Sequence, residues 1–337
     1  MNSRELVKRT LEFDRPQRVP RHLWTLPWAE EHHPEFLRKI RTDFPDDIIS
    51  APGFYWQRAQ THGEPYEIGT YIDEWGCIFE NRQRGVIGEV KEPFIKTWDA
   101  VDKLRLPVEM LSIDVEQVNQ FCRQTDKFVI AGNCPRPFER LQFLRMSENV
   151  YIDLGEQTPE MFELLKRVHN FYLKEMEVWV STDVDAMMFM DDWGAQRALL
   201  ISPRMWRQIF KPLYKEYVEL AHAHGKYIFM HSDGYTADIL PDLAEIGVDA
   251  VNAQLFVMDI EALGKQLRGA ITFWGEIDRQ YLLSFGTTEE VAKAVRQVKT
   301  ALYADGGVIA QCEFGAGAKP ENVYQVFKSW QEIIPIG

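Results

Sequence analysis

The chain reads as an α/β protein, a single (β/α)8 TIM barrel over residues 1–337 with an N-terminal helical extension and a β-hairpin insertion. Three observations predict this fold. From Asp114 onward, short apolar runs alternate with amphipathic segments of helical length, the pattern of parallel strands joined by helical crossovers. The apolar runs number about eight, enough to close a barrel. Polar side chains gather at the carboxyl ends of the runs, where parallel α/β folds carry their chemistry. An open doubly wound sheet is the alternative, and no Pro/Ser/Gly-rich linker or internal repeat divides the chain.

Taken in order, Ser3 to Phe13 has the polarity of a short amphipathic helix, ended by Arg15-Pro16-Gln17-Arg18-Val19-Pro20. Early strands are expected near 18–24 and 46–50, with a helix over 29–42 between them. Between Glu67 and Pro107 the chain turns polar and β-like, with Gly76, Gly85 and Gly88 as punctuation, and this is the hairpin-bearing insertion. The regular alternation then predicts strands over 127–132, 185–190, 226–231, 248–252, 270–275 and 307–311. Helices are expected over 114–124, 136–145, 159–181, 203–224, 235–245, 259–268, 287–304 and 320–333.

The net charge of −13 is spread without an acidic block or basic stripe, which argues against nucleic acid and anionic membranes and for a small-molecule partner. With 45% hydrophobic residues, no window long enough for a membrane span and no apolar leader, a cytoplasmic protein is expected. Cys77, Cys122, Cys134 and Cys312 lie far apart without a CxxC pair, so free thiols are expected.

The candidate chemistry sits at strand ends. His231 closes the run Tyr227-Ile228-Phe229-Met230, and Asp233 follows two residues later, so period-two alternation points both side chains to one side. One metal can accept both, with Cys312 at the last strand end as a third ligand and Gln254 or Glu276 approaching from intervening strands. The plain reading is a His–Asp hydrogen bond shaping a turn, with Cys312 a small buried hydrophobe. Asp191, in Asp191-Asp192-Trp193-Gly194, is an acid/base candidate, with helix capping as its plain reading; only one of the two adjacent carboxylates can face a pocket. Asp73 and Glu276 are the other catalytic candidates. Arg136, held between two prolines, can clamp an anion. Trp24, Trp193 and Tyr71 are candidate substrate walls.

Assembled, these segments resemble the uroporphyrinogen decarboxylase superfamily of (β/α)8 barrels. The resemblance rests on Arg15-Pro16-Gln17-Arg18-Val19-Pro20, Asp73-Glu74-Trp75-Gly76, Asp191-Asp192-Trp193-Gly194, Ile201-Ser202-Pro203, His231-Ser232-Asp233-Gly234, Gly275-Glu276-Ile277-Asp278 and Lys319-Pro320-Glu321-Asn322. True decarboxylases of that superfamily carry Arg-Gln-Ala-Gly-Arg soon after the opening Arg-Val-Pro, with arginines for the substrate's acid groups. Here the stretch is Arg21-His22-Leu23-Trp24-Thr25-Leu26-Pro27. The resemblance therefore points to the corrinoid (cobalamin)-dependent methyltransferases, which bind zinc through a His-x-Cys and a later Cys.

His231 and Cys312 match two of those ligands, and Asp233 stands where the second Cys would be. The resemblance implies zinc, which activates a thiol for methyl transfer with a corrinoid carried on a partner protein, or an oxygen-bearing substrate given the harder Asp ligand. The competing expectations are a metal-free decarboxylase using Asp73 or Asp191 to protonate a carbanion, and non-catalytic binding of a corrinoid or tetrapyrrole.

Overall fold

The computed structural model describes residues 1–333. Helix α1 (Ser3–Leu11) precedes strand β1 (Arg21–Thr25), helices α2 (Pro27–His32) and α3 (Pro34–Asp43), and strand β2 (Ile48–Ser50). The helix expected over 29–42 is thus two helices. Pro34 disfavours the α-region at His33, and the chain restarts with Pro at the first helical position. The insertion is a three-stranded antiparallel sheet of β3 (Gly69–Ile72), β4 (Ile78–Asn81) and β5 (Glu89–Val90).

The barrel then resumes with α4 (Val115–Arg123), β6 (Phe128–Ile130), α5 (Pro137–Arg145), α6 (Ser147–Glu156), α7 (Pro159–Trp179), β7 (Ala186–Met190), α8 (Pro203–Ala223) and β8 (Tyr227–Ser232). It continues through α9 (Leu240–Ile246), β9 (Ala250–Ala253), α10 (Ile260–Leu267), β10 (Thr272–Trp274), α11 (Leu282–Phe285), α12 (Thr288–Leu302), β11 (Val308–Phe314) and α13 (Pro320–Ile333). The helix expected over 235–245 begins only at Leu240, because Gly234 takes a left-handed φ of 78° and the following residues form a loop. Helices α6 and α11 were not anticipated.

Eight parallel strands lie side by side in the order β1-β11-β10-β9-β8-β7-β6-β2. Strands buried on both faces must be apolar on both, which explains their continuous hydrophobic runs. One face packs on the surrounding helices through residues such as Met187, Met230, Val251 and Ala310. The other fills the barrel with Ile48, Phe128, Ile130, Phe229, Trp274 and Ile309. Val7 and Leu11 of α1 join this inner cluster, so the helical extension plugs one end of the barrel. Among the described residues no helix is long and apolar enough to cross a membrane.

Closure between β1 and β2 depends on side chains. One backbone bond crosses the seam, from Asp47 N–H to the Arg21 carbonyl at 2.8 Å. The rest is carboxylate: Asp47 accepts from Arg21 N–H at 2.8 Å, and Asp46 accepts from Leu23 N–H at 2.6 Å. Asp47 also accepts two bonds from Arg18, both at 2.6 Å, and one from the Ser3 hydroxyl at 2.6 Å. This fully buried carboxylate ties β1, β2 and α1 together. Asp47→Ala strands the Arg18 charge and the Arg21 N–H, so a loss of about 3–5 kcal/mol is expected, read as a lower urea midpoint.

Candidate functional site

The loops after β7 and β8 meet backbone to backbone at the open end of the barrel. A Cβ on Gly194 would lie 2.2 Å from Tyr235 N, and one on Gly234 would lie 2.0 Å from the Gly194 carbonyl oxygen, so only glycine permits the approach. The contact carries Asp192 to Asp233, whose N–H donates to Asp192 Oδ1 at 2.8 Å. His231 Nε2 then stands 3.6 Å from Asp192 Oδ1 and 3.6 Å from Asp233 Oδ1. These three side chains form the group among the described residues with the spacing to hold a metal ion.

Their orientation is set from behind. Asn252 on β9 donates its amide N–H to the Trp274 carbonyl, which turns its Oδ1 toward His231 Nδ1 at 2.6 Å. The imidazole donates there from Nδ1 and keeps the Nε2 lone pair facing the carboxylates, the arrangement of a ligating histidine. Asp233 is divided in the same way: Oδ2 accepts from Arg279, while Oδ1 is buried without a hydrogen-bond partner. Burial holds the Asp192 carboxyl above its ordinary range, against the pull of neighbouring His231.

Arg279 also contacts Glu276 at 3.4 Å and Glu313 at 3.1 Å, so one guanidinium serves three acids. Glu276 is 2% exposed and its Oε2 has no partner. Burial, with the charges of Asp233 and Glu313, pushes its carboxyl up to about 8, although Arg279 opposes the shift. Beneath lies an axial chamber of about 320 Å³, walled by His22, Trp24, Met188 and Trp274. The Trp24 ring centroid is 5.3 Å from that of His231. His22 stacks on Trp274, and burial keeps it neutral, with its pKa near 3.

The uroporphyrinogen decarboxylase (URO-D) family model matches residues 65–333, from the inserted sheet to the end of α13. The chain belongs to the uroporphyrinogen decarboxylase family. Its structure is similar to that of a methyltransferase from Methanosarcina mazei, with a TM-score of 0.67 at 14% identity, covering 99% of this chain and 100% of that one. It is also similar, at a TM-score of 0.45 and 15% identity over 66% of each chain, to a B12-independent methionine synthase from Shewanella sp. W3-18-1. No curated protein sequence matches the chain at a significant level.

Within this family fold, several residues singled out in the sequence lie apart from the triad. Cys312 is the main correction. It sits on the helix-facing side of β11 with Ala310 and Phe314, while Gln311 and Glu313 take the inward positions, so it faces away from His231. Burial holds its thiol well above the usual range. Gln254 is occupied otherwise, accepting from Gly234 N–H at 3.0 Å. Asp191 turns away from Asp192 and holds the start of α5, accepting from Phe138 and Glu139 N–H at 3.1 and 2.8 Å and from the Tyr214 hydroxyl at 2.5 Å. Trp193 is fully buried, stacked on Phe138 at 4.0 Å and donating to Tyr214, so it is core and not a substrate wall.

Asp73 pairs with Arg140 and accepts from Trp75 and Cys77 N–H at 3.0 and 2.7 Å, which makes it a turn-forming residue. Together with Tyr71 and Arg136 it lines a second, larger cavity beside α5. Sequence reasoning missed Asp192, Asn252 and Arg279. The adjacent pair Asp191-Asp192 was a signal for the first, whereas the other two become visible only once β8, β9 and β10 are side by side.

Glu276 supplies a pH test. Its folded pKa of about 8 exceeds the ordinary 4.5, so its contribution to stability is complete below pH 4.5 and is lost as pH rises through 8. Urea denaturation of wild type and Glu276→Gln across this range is expected to show a stability difference that shifts against the wild type as pH rises. A constant difference would remove the proton from Glu276.

Proposed function

We propose that this protein is a metal-dependent methyltransferase, moving a methyl group between a corrinoid carried on a partner protein and a small acceptor bound at the barrel mouth. The observation that carries the reading is the convergence of His231 Nε2, Asp192 Oδ1 and the partnerless, buried Asp233 Oδ1. Tetrahedral donors around zinc at about 2.0–2.2 Å lie roughly 3.3 Å apart, close to the observed 3.6 Å from nitrogen to each oxygen. One nitrogen and two oxygens make a harder donor set than thiolates, compatible with zinc and with other divalent ions. Such a metal, when bound, supplies Lewis acidity that lowers the pKa of a thiol or hydroxyl acceptor.

The chain's own groups divide the remaining work. Asn252 fixes the imidazole tautomer, and Arg279 holds Asp233 by the oxygen that faces away from His231. Glu276, protonated at neutral pH, can deliver or take up the proton that accompanies methyl transfer. Trp24 and Trp274 present flat apolar walls in the chamber below, their rings edge to face at 5.1 Å.

The pocket's charge balance speaks against a tetrapyrrole decarboxylase. A polycarboxylate needs several unpaired cations, yet Arg140 is taken by Asp73 and Glu74 and Arg21 packs over the Phe44 ring at 5.3 Å, which leaves Arg136, itself 3.8 Å from Glu139.

Elemental analysis is expected to find about one divalent metal per chain, lost in His231→Ala, Asp192→Ala and Asp233→Ala and retained in Cys312→Ala. Metal retained in the three triad variants would overturn the assignment. Demethylation of methylcobalamin by thiol or phenol acceptors, followed by cobalamin absorbance, is expected to fall at least about 100-fold in His231→Ala. No methyl transfer from metal-loaded wild type to any acceptor class would remove the methyltransferase reading.

A further inference from the structure

Beside the triad, between α5, α7 and the inserted three-stranded sheet, lies a cavity of about 700 Å³. The carboxylates Asp73, Glu74, Glu139 and Glu175 face two guanidiniums, Arg136 and Arg140, so the lining carries an excess of acid. Asp73 and Glu74 are spent on Arg140. Glu139 stands 3.8 Å from Arg136, beyond hydrogen-bond reach. Glu175 has no ion-pair partner among the described residues and only a 3.4 Å contact from the Asn133 amide N–H. Asn133 is 4% exposed, yet its Oδ1 has no partner, and neither does the buried Glu139 Oε2.

Buried polar atoms without partners cost free energy, and these are all acceptors. Whatever satisfies them must bring donors, and a positively charged donor gains most beside Glu175, since Glu139 already has Arg136 at 3.8 Å. The rest of the cavity wall, with Tyr71 and Phe143, offers apolar surface for the body of such a molecule.

We propose that this cavity receives the protonated-amine end of the small-molecule substrate, with Glu175, Glu139 and Asn133 as its acceptors and the aromatic wall around its body. Its role as a substrate site rests on the methyl-transfer reading of the neighbouring triad; its preference for an ammonium group does not. The two sites are joined at α5, where Asp191 holds the Glu139 N–H while the next residue, Asp192, faces His231.

The test is calorimetric titration of metal-depleted protein with benzylammonium and with benzyl alcohol, its neutral counterpart. Wild type is expected to bind the ammonium at least about tenfold more tightly, the gain of one charge-assisted hydrogen bond. Glu175→Gln is expected to erase that preference while its thermal melt stays cooperative, and Glu139→Gln serves as a second variant should the first fail to fold. His231→Ala is expected to keep the preference. Equal binding of the two probes, no binding of the ammonium, or a preference that survives both carboxylate variants would overturn the proposal. If the ammonium preference holds while wild type shows neither metal nor methyl transfer, the cavity stands and the methyl-transfer reading falls.

Discussion

The buried carboxylate of Asp47 is the constraint on which the rest of this barrel depends. Strands β1 and β2 share a single backbone hydrogen bond, and without Asp46 and Asp47 the amides of Arg21 and Leu23 would be buried and unpaired. By accepting from Arg18, Arg21 and Ser3 together, Asp47 turns an open eight-stranded sheet into a closed one and fixes the plug helix beneath it. With β1 laddered to β11 on one side and tied to β2 on the other, the sheet curls so that Trp24 stands near His231 at the barrel mouth. In an open sheet β1 would be an edge strand with β11, β10 and β9 between it and β8.

At the mouth the dominant problem is negative charge. Asp233, Glu276 and Glu313 gather around one cation, Arg279, and Asp192 stands beside Asp233. Two responses coexist. Glu276 holds its proton to about pH 8, and the Asp192–Asp233–His231 corner presents lone pairs that a divalent cation can satisfy. Clustering of titratable groups supports the functional reading proposed for this corner, since isolated buried charges seldom add to stability. The adjoining cavity repeats the theme with Glu139 and Glu175, so the C-terminal face of the barrel is acidic over both chambers.

Much of the fold was legible in the chain. Continuous apolar runs bounded by polar residues identified most of the barrel strands, with β1 and β2 located only approximately, and Pro and Gly marked the insertion. Misplacements have local causes: Pro34 splitting one helix, the loop after Gly234 delaying another. Within the site, His231 and Asp233 could be found because two residues apart on a strand is a local relation. Asp192 could not be chosen over Asp191, since the choice depends on which side chain meets the start of α5 and which meets the next loop.

Sequence alone determined the element order, the burial of the strands and the collection of polar residues at their carboxyl ends, because hydrophobic periodicity and turn chemistry act over a few residues. Tertiary structure decided which face of each strand looks inward. In Val308-Ile309-Ala310-Gln311-Cys312-Glu313-Phe314 the alternation of Gln311 and Glu313 with Cys312 and Phe314 sets two faces but not which looks into the barrel, and pairing with β1 and β10 turns Gln311 in and Cys312 out. The same long-range pairing places Asn252 behind His231 and Arg279 beside Asp233.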